Sequence, residues 1–186
     1  MVWDNRKASK FVSQIMTNGR NCGKIEIPAY VHPFIVCRLL GTWGLEESDV
    51  LNASLLHDIV EDVENCTYEM IEENFGPKVA ELVRELTFEF AADPSTYKSK
   101  AKAEYLASFA TKSSRALLIK VADRICNVRD FYDDQDPYAA KYYRKADTLF
   151  EAFRARKQEL SEIKSVDIAL IEKSIMEVER LLFPNM

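Results

Sequence analysis

Apolar residues recur along this chain at helical spacing. Between Lys7 and Thr17 they fall at Phe11, Val12, Ile15 and Met16, one side of a helix. The segment Asn18 to Ala29 carries the breakers Gly19, Gly23 and Pro28 and is predicted as a loop, with Arg20 and Lys24 as its cations. Pro33 fits the first turn of a helix that runs to about Gly41, where a missing N–H does no harm. Ser48 is a candidate N-cap for the next helix, whose body from Val50 to Val60 holds Leu51, Ala53, Leu55, Leu56 and Ile59. A helix so apolar belongs in the centre of a fold.

Thr67 opens a short helix that ends at Asn74-Phe75-Gly76, and Pro77 suits N1 of another running to about Thr87. A polar loop is expected around Asp93-Pro94-Ser95, then a helix from Lys98 to Ala110. Ser113 or Ser114 is placed to cap a helix from Arg115 to about Phe131, and a turn follows at Asp133 to Pro137. Tyr138 to Leu160 and Val166 to Leu182 close the chain as helices. No strand, repeat or low-complexity tract is read. The pattern predicts an all-α single bundle of roughly eight to ten helices.

Composition narrows the classes. With 186 residues, 47% of them apolar and 30% charged, the chain is expected to be globular. A net charge of −5 argues against a general affinity for nucleic acid or membrane surfaces. No apolar run approaches a membrane span, and Met1 to Lys10 is polar with no signal-peptide core. Cys22, Cys37, Cys66 and Cys126 form no C-x-x-C pair, which fits buried thiols in a reducing cytoplasm.

The polar residues inside apolar stretches carry the chemistry. The chain has only two histidines, His32 and His57. His57 is followed by Asp58, with Glu61 and Asp62 one helical turn on. Burying such groups unpaired costs several kcal/mol each, so something must compensate, and a divalent cation does so economically. Asp123 sits after Leu117-Leu118-Ile119-Lys120-Val121-Ala122, a stretch too apolar to face water, with Lys120 and Asn127 on the same stripe. Two imidazoles and two carboxylates suit Mn²⁺, Fe²⁺, Zn²⁺ or Mg²⁺ rather than a thiolate site. Each feature has a bland alternative: a structural histidine before a proline, a chance His-Asp pair, a solvated Glu-Asp end, a local Asp123–Arg124 ion pair. Together, in this order and in this apolar setting, they favour a metal-dependent site.

Several of these stretches resemble the hydrolase domain of the RelA/SpoT alarmone enzymes. Pro28-Ala29-Tyr30-Val31-His32-Pro33 is similar to that family's P-Y-x-x-H-P, and Ala53 to Asp62 to its A-A-L-L-H-D-x-V-E-D. Phe75-Gly76-Pro77-Lys78-Val79 with Leu82-Val83 resembles F-G-x-x-V-x-x-L-V, and Lys120 to Arg129 resembles K-x-A-D-R-x-x-N-x-R. Arg144-Lys145-Ala146-Asp147-Thr148-Leu149 is loosely similar to R-x-A-x-E-T-L. The resemblance covers about residues 7–153, lacks the synthetase domain, and in extent is similar to the stand-alone small hydrolases such as the metazoan SpoT homologue.

It implies one HD-type hydrolase domain over residues 1–186; residues 166–186 fall outside the match and are read as a C-terminal packing helix. It implies Mn²⁺ held by His32, His57, Asp58 and Asp123, and Glu61 and Asp62 positioning or deprotonating a water. The implied reaction removes the 3′-pyrophosphate of (p)ppGpp. Arg20, Lys24, Asn127 and Arg144 are the implied substrate contacts. The loop departs from the family's H-x-G-Q-x-R-K-x-G, because Arg20 and Lys24 are not adjacent. An HD phosphohydrolase acting on NADPH, (p)ppApp or a 5′-nucleotide is therefore the alternative, and a catalytically silent nucleotide-binding regulator a further one. The implied partner is a small nucleotide, with no DNA, RNA or membrane; an oligomer is not indicated.

Overall fold

The computed structural model describes residues 5–22, 25–89, 98–132 and 137–183. Lys24, the loop around Asp93 and the turn from Asp133 lie outside these residues. The described chain is helical apart from one hairpin: α1 (Arg6–Ile15), β1 (Gly19–Cys22), β2 (Ile25–Pro28), α2 (Val31–Thr42), α3 (Ser48–Leu56), α4 (Ile59–Asp62), α5 (Tyr68–Phe75) and α6 (Pro77–Leu86). Then come α7 (Lys98–Ala107) with a 3-10 turn (Ser108–Ala110), α8 (Ser114–Tyr132), α9 (Pro137–Ala155), α10 (Lys157–Ser161) and α11 (Ile168–Leu182).

The centre of the bundle is α8. Ala116 to Ile119, Val121, Ala122, Ile125, Cys126 and Val128 are all buried, and α2, α3, α6, α9 and α11 pack around it. A helix apolar on nearly every side must be enclosed in this way. Local signals set the helix ends. The Thr67 hydroxyl accepts from the Met70 N–H, the Ser113 hydroxyl from the Ala116 N–H at 3.2 Å, and Pro77 opens α6. At Gly44, φ is +88°, and a Cβ there would stand 1.9 Å from the Ser165 carbonyl. Only glycine fits where the chain before α11 crosses the end of α2. The Asp167 N–H then donates to the Trp43 carbonyl at 2.8 Å, and α11 buries Ile171, Ile175 and Val178.

The structure corrects the sequence reading in four places. The segment 18–29, expected as a loop, contains an antiparallel hairpin with Gly19 opposite Pro28 and Arg20 opposite Ile27. Its strands are four residues long, and the only alternation, Ile25-Glu26-Ile27, is too short for periodicity to reveal them. The helix expected through Val60 breaks at His57 and Asp58, and Asp58 takes φ −102° and ψ −2°. The helix expected to run to Ala110 ends in a 3-10 turn. The helix expected to run to Leu160 breaks at Arg156, whose guanidinium donates to the Phe109 carbonyl at 3.0 Å and the Lys112 carbonyl at 2.8 Å.

Candidate metal centre and nucleotide pocket

Residues 120, 123, 127 and 130 repeat at three- and four-residue spacing, so α8 presents Lys120, Asp123, Asn127 and Asp130 on one face. Asp123 is 3% exposed, Lys120 3% and Asn127 6%. Charges so buried must be paired. The Lys120 ammonium stands 2.9 Å from Asp123, and the Asn127 amide donates to the same carboxylate.

The break between α3 and α4 does chemical work. On an unbroken helix, neighbouring residues point about 100° apart and cannot meet. Here the bend brings His57 Nε2 to 3.2 Å from Asp58 Oδ2 and 3.7 Å from Asp123 Oδ1. The Asp58 carbonyl restarts the helix by accepting from the Glu61 and Asp62 N–H groups at 3.1 and 3.0 Å. His57 Nδ1 faces the Ser54 carbonyl at 2.7 Å, a contact that assigns it the proton and leaves Nε2 facing the cluster. His32, from the first turn of α2, adds Nε2 at 3.1 Å from Asp123 Oδ1.

Ligand atoms of His32, His57 and Asp123 all lie within 4.8 Å of one another, and all three residues are buried. His57 Nε2 has no hydrogen-bond partner, although it is enclosed. A buried imidazole nitrogen that meets two carboxylates without a formed hydrogen bond stands where a cation ligand would. The mixed N/O donor set fits a borderline or hard divalent metal. Asp58 stands at the edge of this group, its Oδ2 also 4.0 Å from the Arg20 guanidinium.

Electrostatics tell the same story. Burial alone would depress the His57 imidazole, but the Asp58 and Asp123 carboxylates outweigh it and lift the pKa from 6.5 to about 10. Burial likewise opposes ionisation of Asp58 and Asp123. The His57 charge holds Asp58, and Lys120 with the two histidines holds Asp123, well below the usual carboxylate range. Asp62 moves the other way: loss of water contact and the charges of Asp58 and Glu61 raise it to about 6. Lys102 is pushed down to about 8 by burial and the nearby Lys120.

A cavity of about 240 Å³ opens over the cluster. Asp58, Glu61, Asp62, Asp123 and Asn127 line it, and Arg20, Lys102, Lys120, Arg124 and Lys145 set five cations against those four carboxylates, so the cavity is densely charged and nearly balanced. A second cavity of about 290 Å³, lined by Met16, Asn18, Gly19, Ala29 and Val63, shares Arg20 and Asp62 with the first. Period-two alternation in β1 turns Arg20 and Cys22 toward α8. Arg20 donates to the Asn127 amide oxygen at 2.5 Å, and the Cys22 thiol lies 3.5 Å from the Asp130 carbonyl. Glu61 Oε1 accepts from the Phe88 N–H at 2.7 Å.

The structure therefore brings together His32, His57, Asp58, Glu61, Asp62, Asp123, Asn127 and Arg20. It does not bring Arg144, which is exposed and lines neither cavity; the adjacent Lys145 lines the first, about 100° around α9. Sequence reasoning passed over Lys102, Lys145 and Asp130. The signal for Asp130 was present, as the next step of the 120–123–127 stripe. Lys102 sits in Lys98-Ser99-Lys100-Ala101-Lys102, where nothing in the pattern separates one lysine from its neighbours.

The family described as HD domain matches residues 8–160. Guanosine-3′,5′-bis(diphosphate) 3′-pyrophosphohydrolase MESH1 of Drosophila melanogaster is 40% identical over 106 residues, which is 56% of this chain and 56% of that protein. That alignment thus spans little more than half of the fly protein. The Xenopus tropicalis protein of the same name is 34% identical over 125 residues, 67% of each chain. A guanosine-3′,5′-bis(diphosphate) 3′-pyrophosphohydrolase of Aquifex aeolicus is 33% identical over 62% of this chain but only 16% of its own length. Among solved structures, one described as a metazoan ortholog of SpoT that hydrolyzes ppGpp and plays a role in starvation responses superposes with a TM-score of 0.77. It is 27% identical and covers 97% of this chain and 96% of its own.

Proposed function

The chain belongs to the HD-domain family, and on that premise we propose that it is a metal-dependent phosphohydrolase that removes the 3′-pyrophosphate of (p)ppGpp, giving GDP or GTP and pyrophosphate. The observation that carries this reading is the buried His32–His57–Asp123 group, whose Asp123 lines a densely charged cavity together with Asp58, Glu61 and Asp62. Three relatives that carry this activity in their names support the substrate.

His32, His57, Asp58 and Asp123 would hold the ion, for which Mn²⁺ is our choice among divalent metals. Bound there, it would lower the pKa of a water and offset phosphoryl charge. Asp62, ionising at about 6, accepts the proton of the attacking water near neutral pH. Glu61, fixed by the Phe88 N–H, holds that water in line. Lys102, Arg124 and Lys145 take phosphate oxygens, and Arg20 with Asn127 faces the nucleoside, which the adjoining cavity has room to admit. The whole chain acts as one unit on a small nucleotide. We take its location to be cytoplasmic, where Cys22, Cys37, Cys66 and Cys126, which form no disulfide among the described residues, stay reduced. Among the described residues no helix is long and apolar enough to cross a membrane.

Arg20 favours a second reading. It is engaged with Asn127 and Asp130 and must exchange those contacts to stack on a guanine. NADPH, (p)ppApp and 5′-nucleotides therefore belong in the test. Purified protein with Mn²⁺ is expected to release pyrophosphate from ppGpp. Cleavage of another nucleotide with ppGpp untouched would overturn the substrate, and absence of bound metal would overturn the mechanism.

A further inference from the structure

We propose that Asp130 is a positioning residue that ties the hairpin's Arg20 to the metal-ligating His32. This rests on the metal reading above. Asp130 lies one turn beyond Asn127, and its side chain is 11% exposed. Its Oδ2 stands 3.4 Å from Arg20 Nη2 and 3.5 Å from His32 Nδ1, so one carboxylate oxygen lies within ion-pair reach of both.

His32 needs such a partner. The residue is 1% exposed, its Nε2 faces Asp123 at 3.1 Å, and its Nδ1 has no hydrogen-bond partner. A histidine that ligates through one nitrogen usually donates its other N–H to a carboxylate or carbonyl, which fixes the tautomer and the ring plane. Asp130 is the carboxylate in that position. With an ion bound, tightening of this 3.5 Å contact to hydrogen-bond length would hold the proton on Nδ1 and free the Nε2 lone pair for the ion.

The same oxygen restrains Arg20. Its guanidinium donates to Asn127 at 2.5 Å and lies 4.0 Å from Asp58. Contacts therefore run in a ring from β1 through Asp130 to His32 and Asp123, then by Asn127 back to β1. Removing Asp130 opens the ring on both sides at once. His32 loses its orientation, and Arg20 loses one of the two carboxylates that hold it over the cavity.

The experiment is a calorimetric Mn²⁺ titration of metal-free wild type, Asp130→Asn and Asp130→Ala, with thermal melts run in parallel. Both variants are expected to bind Mn²⁺ about 10- to 100-fold more weakly. At saturating Mn²⁺, Asp130→Asn should raise KM in the wild-type background but not further in Arg20→Ala. If Asp130→Ala fails to fold, Asp130→Asn, which keeps the volume, decides. Folded variants with Mn²⁺ affinity within about twofold of wild type overturn the proposal, because a purely structural role would shift the melt and leave the isotherm alone. Additive KM effects of Asp130→Asn and Arg20→Ala overturn the tie to the hairpin. Wild type that binds no Mn²⁺ refutes the metal reading itself, and this proposal falls with it.

Discussion

His32, His57 and Asp123 are 0–3% exposed and come from α2, the break between α3 and α4, and α8, whose apolar faces build the core. Arg20, Lys102 and Lys145 reach the same cavity from a hairpin and from the polar sides of α7 and α9. The first set is fixed by burial. Each side chain is clamped by packing, and its position cannot change without moving the bundle. The second set is held by long, partly solvated side chains with several partners within reach. The floor is thus preorganised for a cation, while the rim could adapt to the nucleotide proposed above. Mutations should separate the two, with losses of chemistry at the floor and losses of affinity at the rim.

The largest effect is expected at the floor. His57→Ala or Asp58→Ala should abolish both metal binding and turnover. The loss should exceed the roughly 10⁴-fold upper range for a single acid–base group. Elemental analysis beside a pyrophosphate-release assay reads both quantities. A variant that keeps its metal and stays inactive would move that residue from ligand to catalytic group.

Next comes Asp62→Asn, which is expected to lower kcat about 10²- to 10⁴-fold while metal affinity stays near wild type. Asp62 is raised to about 6 by its partial withdrawal from water and by Asp58 and Glu61. A cation bound beside Asp58 would offset part of that rise, so wild-type activity should climb with pH through a limb at or below about 6, and that limb should vanish in Asp62→Asn. Metal loss in this variant would erase the boundary between floor and mouth.

How far each region was legible in the sequence follows from the same contrast. Asp123 was visible because six residues before it include only one charge, so burial could be inferred and a reason demanded. His57 and Asp58 were visible for the same cause, although the helix break that lets adjacent residues converge was not. That break is a matter of two backbone angles at Asp58, and propensity does not reveal it. The rim was read poorly because its residues are ordinary exposed cations. Arg144 and Lys145 differ only by one step of a helix, and the packing of α9 on α8 decides which faces the cavity. The hairpin was missed because its strands are held by pairing to each other and by Arg20 and Cys22 on α8, not by an apolar stripe.

A smaller effect tests the rim directly. Lys145→Ala and Lys102→Ala should each raise KM roughly 10- to 100-fold with little change in kcat, the size of one hydrogen bond to a charged group. Arg144→Ala should change KM less than about twofold, as expected of a surface charge. Equal effects from Arg144 and Lys145 would mean that substrate reorganises α9, and the rim would then have no fixed geometry to compare.

The last test is a pH slope, which the metal-free floor should show and the metal-bound floor should not. In metal-free protein the carboxylates hold His57 protonated up to about pH 10, above its ordinary 6.5. A raised pKa stabilises the fold fully below the ordinary value, and that contribution is lost as pH climbs through about 10. Metal-free protein should therefore melt at progressively lower temperature from about pH 7 to pH 10. A divalent ion must displace the same proton, so its affinity should rise by up to about tenfold per pH unit in that window. The melting temperature gained on adding Mn²⁺ should accordingly widen as the metal-free baseline falls. Calorimetry in buffers of differing ionisation enthalpy should find about one proton released per ion near pH 7. Release of none would mean that His57 is already neutral without metal, and that the two carboxylates at the floor are balanced by Lys120 and Arg20 instead of the imidazole.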